Sequence, residues 1–151
     1  KRGQQVTLTY GSGGDRFSIP PNIFLIGTMN TADRSLALID YALRRRFGFW
    51  DVESNFGDKF KSFVCDRGLS EGMAGLISQK MDALNLQITE DRNLGRGFEI
   101  GQSYFCEPPT SDQEASWFEF VIRHEIEPLL REYWFDEPDK VRDLIESIVN
   151  Q

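Results

Sequence analysis

The first third of the chain carries the hydrophobic pattern of an α/β protein. Residues 23–29 form an apolar run without alternation, which predicts a strand buried on both faces of a parallel sheet. From Asp33, a candidate N-cap, apolar residues follow helical spacing as far as residue 47. Residues 47–52 are aromatic and β-prone. The order strand, helix, strand is that of a βαβ unit, and we expect an α/β domain to end near residue 53.

Ahead of this unit, residues 6–10 alternate in the manner of a β-strand, and residues 11–15 are rich in glycine and other turn formers. Residues 17–19 are again apolar and polar in turn. The pattern predicts a β-hairpin or an insertion before the buried strand.

Beyond residue 53 the pattern changes to that of amphipathic helices. We predict, in order, a short helix around residues 60–64, a helix over 73–84, an irregular segment over 93–105, a long helix over 118–133 that bends near Pro128, and a last helix that begins at Pro138. We therefore divide the chain into residues 1–53, the last part of an α/β core, and residues 54–151, an all-helical domain.

The bulk composition is that of a globular protein. Of the 151 residues, 40% are hydrophobic and 27% are charged, and no apolar run approaches the roughly 18 residues that a membrane span requires. We expect a cytoplasmic protein without membrane contact. The chain does not begin with Met and has no signal-peptide core, so we expect a fragment of a longer protein.

The net charge and the cysteines argue against two kinds of site. A formal charge of -7 disfavours a surface that grips nucleic acid by phosphate neutralisation, so any DNA contact is expected in another domain or subunit. Cys65 and Cys106 lack zinc-site spacing, and we expect reduced thiols and no metal site. His124 has no partner His or Cys nearby in the sequence, which favours a surface or packing histidine.

Asn30 is the first candidate for chemistry. It follows the predicted buried strand and would lie at the carboxyl edge of the sheet, where open α/β sheets bind ligands. Its amide could orient a water molecule against a terminal phosphate. The alternative is that Asn30 only caps the turn, and spacing alone leaves both explanations open.

The second candidate is the run Arg44, Arg45 and Arg46 at the end of the predicted helix. Cations there offset the helix macrodipole, each by roughly 0.3–1 kcal/mol. The other interpretation is an arginine finger, a guanidinium that projects into a neighbouring subunit and stabilises charge during phosphoryl transfer.

Two motifs support the second interpretation. Residues 29–35 read MNTADRS and residues 41–47 read YALRRRF, and together they resemble the McrB family of AAA+ proteins, in which MNTADR is a signature. The resemblance implies that Asn30 is the sensor-1 residue and that Arg45 and Arg46 act at a subunit interface. It places Asp33 and Arg34 in the same loop, near the active site and the interface, and leaves open which of the three arginines is the finger.

A looser resemblance covers residues 94–104, which are similar to the lid motif of the same family. Many AAA+ lids carry a sensor-2 arginine, and Arg96 is the nearest candidate for it. The alternative is an exposed loop arginine without a role in catalysis. The fold expected from the resemblance is α/β plus all-α, namely the last strand, helix and strand of a AAA+ core followed by a helical lid.

The resemblance also implies a function for the longer protein. It predicts hydrolysis of a nucleoside triphosphate with Mg²⁺, GTP in McrB itself and either GTP or ATP here. It further predicts a homo-oligomeric ring, a hexamer, that drives a McrC-like nuclease in a modification-dependent DNA restriction system. DNA would be recognised through a separate N-terminal domain.

The chain lacks two motifs that nucleotide hydrolysis requires. It has no GxxxxGK[ST] loop to cradle phosphates, and no apolar strand ends in the acidic pair of a Walker B site. We expect both upstream, and we expect this chain alone to be inactive. Two other functions stay open: a helical module that docks a partner, and a chaperone-like AAA+ remodeller that works without a nuclease.

Overall fold

The computed structural model describes residues 4–7, 16–29, 44–109 and 113–150. The chain divides into two compact units, residues 1–30 and residues 31–151.

The first unit contains a β-hairpin. Strand β1, Gln5–Thr7, pairs antiparallel with strand β2, Arg16–Ser18, and Val6 lies opposite Phe17 in the register. Arg16 also donates a hydrogen bond from Nη1 to Gln5 Oε1 at 3.2 Å. The hairpin predicted from alternation and turn residues is therefore confirmed.

The predicted strand-helix-strand order is not seen in the described residues. Residues 23–29 are irregular and exposed, and so are residues 47–52. A strand of a parallel sheet needs neighbouring strands to take its backbone hydrogen bonds, whereas β1 and β2 pair only with each other in the part of the chain that the structure describes. Of the predicted helix over residues 33–47, only residues 44–47 are described: Arg44 is helical, and residues 45–47 form a turn and a bend.

Within the second unit, the part of the chain from residue 58 to residue 149 is largely helical, as predicted. Its α-helices are α1, Asp58–Cys65; α2, Glu71–Glu90; α3, Glu114–Val121; α4, Glu127–Tyr133; and α5, Pro138–Val149. Two 3₁₀ helices, Arg96–Phe98 and Gln102–Phe105, lie between α2 and α3.

Local sequence explains where these helices begin. Ser70 caps α2 by accepting a hydrogen bond from the backbone N–H of Met73 at 3.2 Å, and its hydroxyl donates to Glu114 at the start of α3 at 2.5 Å. Pro138 occupies the first turn of α5, where its missing N–H has no cost.

Between α3 and α4 the chain forms a π-helix, Ile122–Ile126. Pro128 stands at the start of α4 and has no N–H to donate. Its ring would also clash with the carbonyl of His124 in a regular α-helix. The wider π-turn accommodates the proline, so the bend predicted near Pro128 takes this form.

One hydrophobic core joins all of these helices. Its members come from α1 to α5, from the π-helix and from the intervening loops, and include Phe56, Phe60, Val64, Ile77, Met81, Leu84, Ile88, Ile100, Phe105, Ile122, Ile126, Leu130, Trp134, Val141 and Ile145. Burying an aliphatic or aromatic side chain of this size contributes about 1.5–3 kcal/mol, so the core is the main source of stability in this unit.

Among the residues that the structure describes, no helix is both long and apolar enough to cross a membrane.

Candidate functional site

Three of the predicted site residues, Asn30, Asp33 and Arg34, lie outside the described residues. The arginine run is described. Arg44 is helical, and its guanidinium lies 5.8 Å from the centre of the Phe49 ring.

Arg45 and Arg46 follow Arg44 in a turn, and both side chains are exposed. In the part of the chain that the structure describes, neither forms an ion pair with a carboxylate.

Arg96 opens the first 3₁₀ helix, directly after Gly95, whose φ of 103° is in the left-handed region that favours glycine. Its Nη1 lies 3.7 Å from Glu53 Oε1, and both side chains are largely exposed. Such a surface pair stabilises by at most about 1 kcal/mol, because water screens it. Arg96 is thus held loosely beside the segment that precedes α1.

A buried amide fixes the loop that carries Arg96. Asn85 lies on α2 and is 7% exposed, the one polar residue among the buried side chains that the structure describes. Its Oδ1 accepts from the backbone N–H of Ile100 at 2.7 Å, and its Nδ2 donates to the Ile100 carbonyl at 2.9 Å. This two-point contact imitates a strand pairing and satisfies both backbone groups of Ile100.

The same amide reaches the start of the helical unit. Asn85 Nδ2 also lies 3.3 Å from Ser54 Oγ, and the Ser54 hydroxyl donates to Glu99 Oε2 at 2.5 Å. The Thr89 hydroxyl lies 3.1 Å from Glu99 Oε1. We call Ser54, Asn85, Thr89 and Glu99 the Asn85 network.

Two further hydrogen bonds act in parallel with the Asn85 network. The backbone N–H of Asn55 donates to Gln102 Oε1 at 3.2 Å, and Ser78 Oγ donates to the carbonyl of Phe56 at 2.7 Å. Residues 54–56 therefore form hydrogen bonds both with α2 and with residues 99–102, the loop that follows Arg96.

A second polar cluster lies just beyond the Asn85 network, at the C-terminal end of α2. Asp91 accepts from Trp134 Nε1 at 2.8 Å and from the backbone N–H of Asn93 at 2.8 Å. Lys140 Nζ lies 3.3 Å from the same carboxylate and 4.2 Å from the centre of the Trp134 ring. The hydrogen bond from Trp134, followed by that from Asn93, lowers the pKa of Asp91.

The described residues contain no group of three or more His, Cys, Asp or Glu side chains that could hold a metal ion. Sequence analysis missed both polar clusters, although Asn85 gave one signal. It interrupts the apolar stripe of α2 at a position next to Leu84, where a buried polar side chain must find partners.

Comparison with known proteins identifies the helical unit. Residues 76–142 match the family model described as McrB, alpha-helical lid domain. The chain is also 45% identical, over 148 residues, to the type IV methyl-directed restriction enzyme EcoKMcrB subunit of Escherichia coli (strain K12). The chain is of the McrB type.

That alignment includes 93% of this chain but 32% of the Escherichia coli subunit, so the chain spans about a third of the length of its relative. The McrB lid match begins within α2 and ends within α5. It contains Asn85, Arg96, Glu99 and Asp91, whereas Glu53 and Ser54 precede it. The predicted family and the predicted helical lid are confirmed.

Proposed function

We propose that this chain is part of a AAA+ NTPase motor in a modification-dependent DNA restriction system. The observation that carries the proposal is the 45% identity to a subunit of a methyl-directed restriction enzyme. That identity extends over nearly the whole chain, including the two motifs and the lid. Hydrolysis, partners and substrate belong to the full-length protein.

The first part of the proposal assigns the site residues. Asn30, as sensor 1, orients the attacking water, and Asp33 and Arg34 complete the same loop. Arg45 or Arg46 enters the nucleotide site of a neighbouring subunit. The exposure of both guanidinium groups, without a described carboxylate partner, supports this role, because a finger must be free to meet the phosphates of another chain.

The second part concerns the exposed apolar segments. Residues 23–29 and 47–52 are proposed to be strands of a larger α/β core, with residues 1–53 inside that core and residues 54–151 forming the lid. Ile26 and Trp50 are both at least 90% exposed. Apolar segments as exposed as each of these mark an interface, which supports burial against other parts of the full-length protein.

The third part assigns a role to the lid. Arg96 acts as sensor 2, and the Asn85 network links its loop to residues 54–56, which follow the proposed core. The hydrogen bonds of this network support rigid transmission, since Asn85 holds Ile100 at two points and reaches Ser54 as well. A change at the nucleotide would thereby move the lid as one body.

The proposed cofactor is Mg²⁺ with GTP or ATP. The described residues offer no metal cluster, so the ion is assigned to the nucleotide and to a Walker motif outside this chain. The proposed partners are further copies in a hexameric ring, a McrC-like nuclease, and DNA bound through another domain. The acidic charge of -7 supports DNA contact elsewhere.

The test is phosphate release by the purified full-length protein with GTP and with ATP, each with and without Mg²⁺. We expect Mg²⁺-dependent hydrolysis of at least one nucleotide, and none by the 151-residue chain alone. Asn30→Ala should lower kcat far more than nucleotide affinity, because a water-positioning amide acts mainly in the transition state. Absence of hydrolysis by the full-length protein with both nucleotides would overturn the proposal.

A further inference from the structure

A pocket of about 420 Å³ opens on the lid where the second 3₁₀ helix meets α3 and the π-helix. Three aromatic side chains, Tyr104, Trp117 and Phe120, line it together with two carboxylates, Glu107 and Glu125. Its volume is in the range of ligand pockets, roughly 300–1,000 Å³. None of these residues belongs to the proposed nucleotide site or to the Asn85 network.

Two of the aromatic side chains that line the pocket pack against neighbouring rings. The Trp117 ring packs edge-on against buried Phe105, with centroids 6.1 Å apart and planes at 83°. The Phe120 ring stacks on His124 at 4.4 Å and 19°, and His124 Nδ1 lies 3.1 Å from the Phe120 carbonyl. Phe120 is nevertheless 53% exposed. The Trp117 wall of the pocket thus rests on the core, whereas the Phe120 ring is open to solvent.

The two carboxylates make the pocket negatively charged. Glu107 and Glu125 are exposed, and no lysine or arginine of the described residues forms an ion pair with either. Glu125 lies within the π-helix. Carboxylates repel phosphates, so this face is unsuited to DNA or nucleotide and suited to a cation.

We propose that this pocket binds an arginine side chain presented by another protein chain. A guanidinium is planar, stacks on aromatic faces and donates two parallel hydrogen bonds to a carboxylate, which fits walls of rings and carboxylates. The exposed Phe120 ring gives apolar contact to residues beside that arginine, which favours a protein segment over a free polyamine. The site is independent of nucleotide hydrolysis.

The test is calorimetric titration of the full-length protein with a short glycine peptide that carries one arginine. The matched probe replaces arginine by citrulline, its neutral isostere. We expect the arginine peptide to bind at least tenfold more tightly than the citrulline peptide, because charge-assisted hydrogen bonds to carboxylates are the stronger kind. Spermidine, a cation without a planar group, serves as the third probe.

Substitutions of the lining residues test whether the arginine peptide binds in this pocket. Glu107→Gln combined with Glu125→Gln should weaken the arginine peptide about tenfold, and Phe120→Ala should weaken it several-fold. Glu90→Gln removes an exposed carboxylate that does not line the pocket and should change nothing. Equal affinity for arginine and citrulline, equal loss in the Glu90→Gln variant, tighter binding of spermidine, or no binding at all would each overturn the proposal.

Discussion

Residues 47–52 and residues 56–64 are neighbours in sequence, and both begin with Phe-Gly, yet their aromatic side chains have opposite environments. Trp50 is 90% exposed and Val52 is 88% exposed, whereas Phe56 is 1% exposed and Val64 is fully buried. The first segment is irregular, and the second leads into and forms α1. Apolar content therefore does not explain the difference.

The difference lies in the partners that each segment finds. Phe56 packs against Phe60 and Phe105, with centroids 5.1 and 6.1 Å away, and Phe105 is 49 residues further along the chain. For residues 47–52 the described part of the chain offers no such surface. Burial thus depends on a complementary face, and the exposed segment is the one that we assign to the α/β core.

The largest effect is expected at the arginines beside the exposed segment. In full-length protein, Arg45→Ala or Arg46→Ala should reduce hydrolysis by a factor of about 10³–10⁵ if the residue is a finger. Mixing such a variant with one that lacks its Walker A lysine should restore partial activity. In a mixed ring, some interfaces then pair an intact nucleotide pocket with an intact arginine.

The control for this mixing is gel filtration of differently sized variants, which reports whether mixed rings form. Mixed rings without activity would show that the arginines act within their own subunit or only support the fold. In that case the exposed residues 47–52 and the buried residues 56–64 would differ in packing but not in a role at a subunit interface.

Substitution of the aromatic residues tests the comparison directly. Phe56→Ala should destabilise the 151-residue chain by about 3–5 kcal/mol because it leaves a cavity in the core. Trp50→Ala should change it by less than about 0.5 kcal/mol, since the ring is exposed. Urea unfolding followed by circular dichroism measures both.

The same Trp50→Ala substitution in the full-length protein tests whether residues 47–52 are buried there. If residues 47–52 form a strand of the α/β core, Trp50→Ala should destabilise the longer protein by several kcal/mol while the shorter chain is unaffected. Equal, small effects in both would remove residues 47–52 from the proposed core.

The Asn85 network is expected to give an intermediate effect. Asn85→Ala leaves the backbone N–H and C=O of Ile100 without partners, at about 1–3 kcal/mol for each group that stays buried. Gln87→Ala on the exposed side of the same helix is the matched control and should be nearly neutral. Hydrogen exchange should show faster exchange of the Ile100 amide in the first variant only. Unchanged protection there would mean that Asn85 does not hold the loop.

The smallest expected effect is a pH-dependent change in the stability of the lid. The hydrogen bond from Trp134 lowers the pKa of Asp91 in the folded lid, so this carboxylate stabilises at neutral pH and the contribution is lost as the pH falls below about 4. Asp91→Asn should therefore be destabilised at pH 7 relative to the parent chain, with the difference shrinking toward pH 3. Asp136→Asn, an exposed carboxylate, should show no such trend. The measurement is the free energy of unfolding as a function of pH. If it changed with pH in the same way for the parent chain and for the Asp91→Asn variant, this assignment would be wrong.

The lid was the part that sequence pattern predicted best. The stripe over residues 73–84, the bend at Pro128 and the start at Pro138 correspond to α2, the π-helix and α5. Phe63 departs from the pattern, since it is exposed while Phe60 and Val64 of the same helix are buried. The candidate site was less predictable, because Asn30, Asp33 and Arg34 were recognised by motif alone and stay predictions.

What the sequence by itself determined was local: the periods of the helices, the bend and the helix start at prolines, the hairpin, and the motifs that resemble the McrB family. These depend on residues a few positions apart. Tertiary structure alone decided the polar contacts, because their partners are distant in the chain. Asn85 meets Ser54 across 31 positions and Trp134 meets Asp91 across 43. It likewise assembled the aromatic pocket, since packing of the 3₁₀ helix against α3 and the π-helix is what gathers those rings and carboxylates.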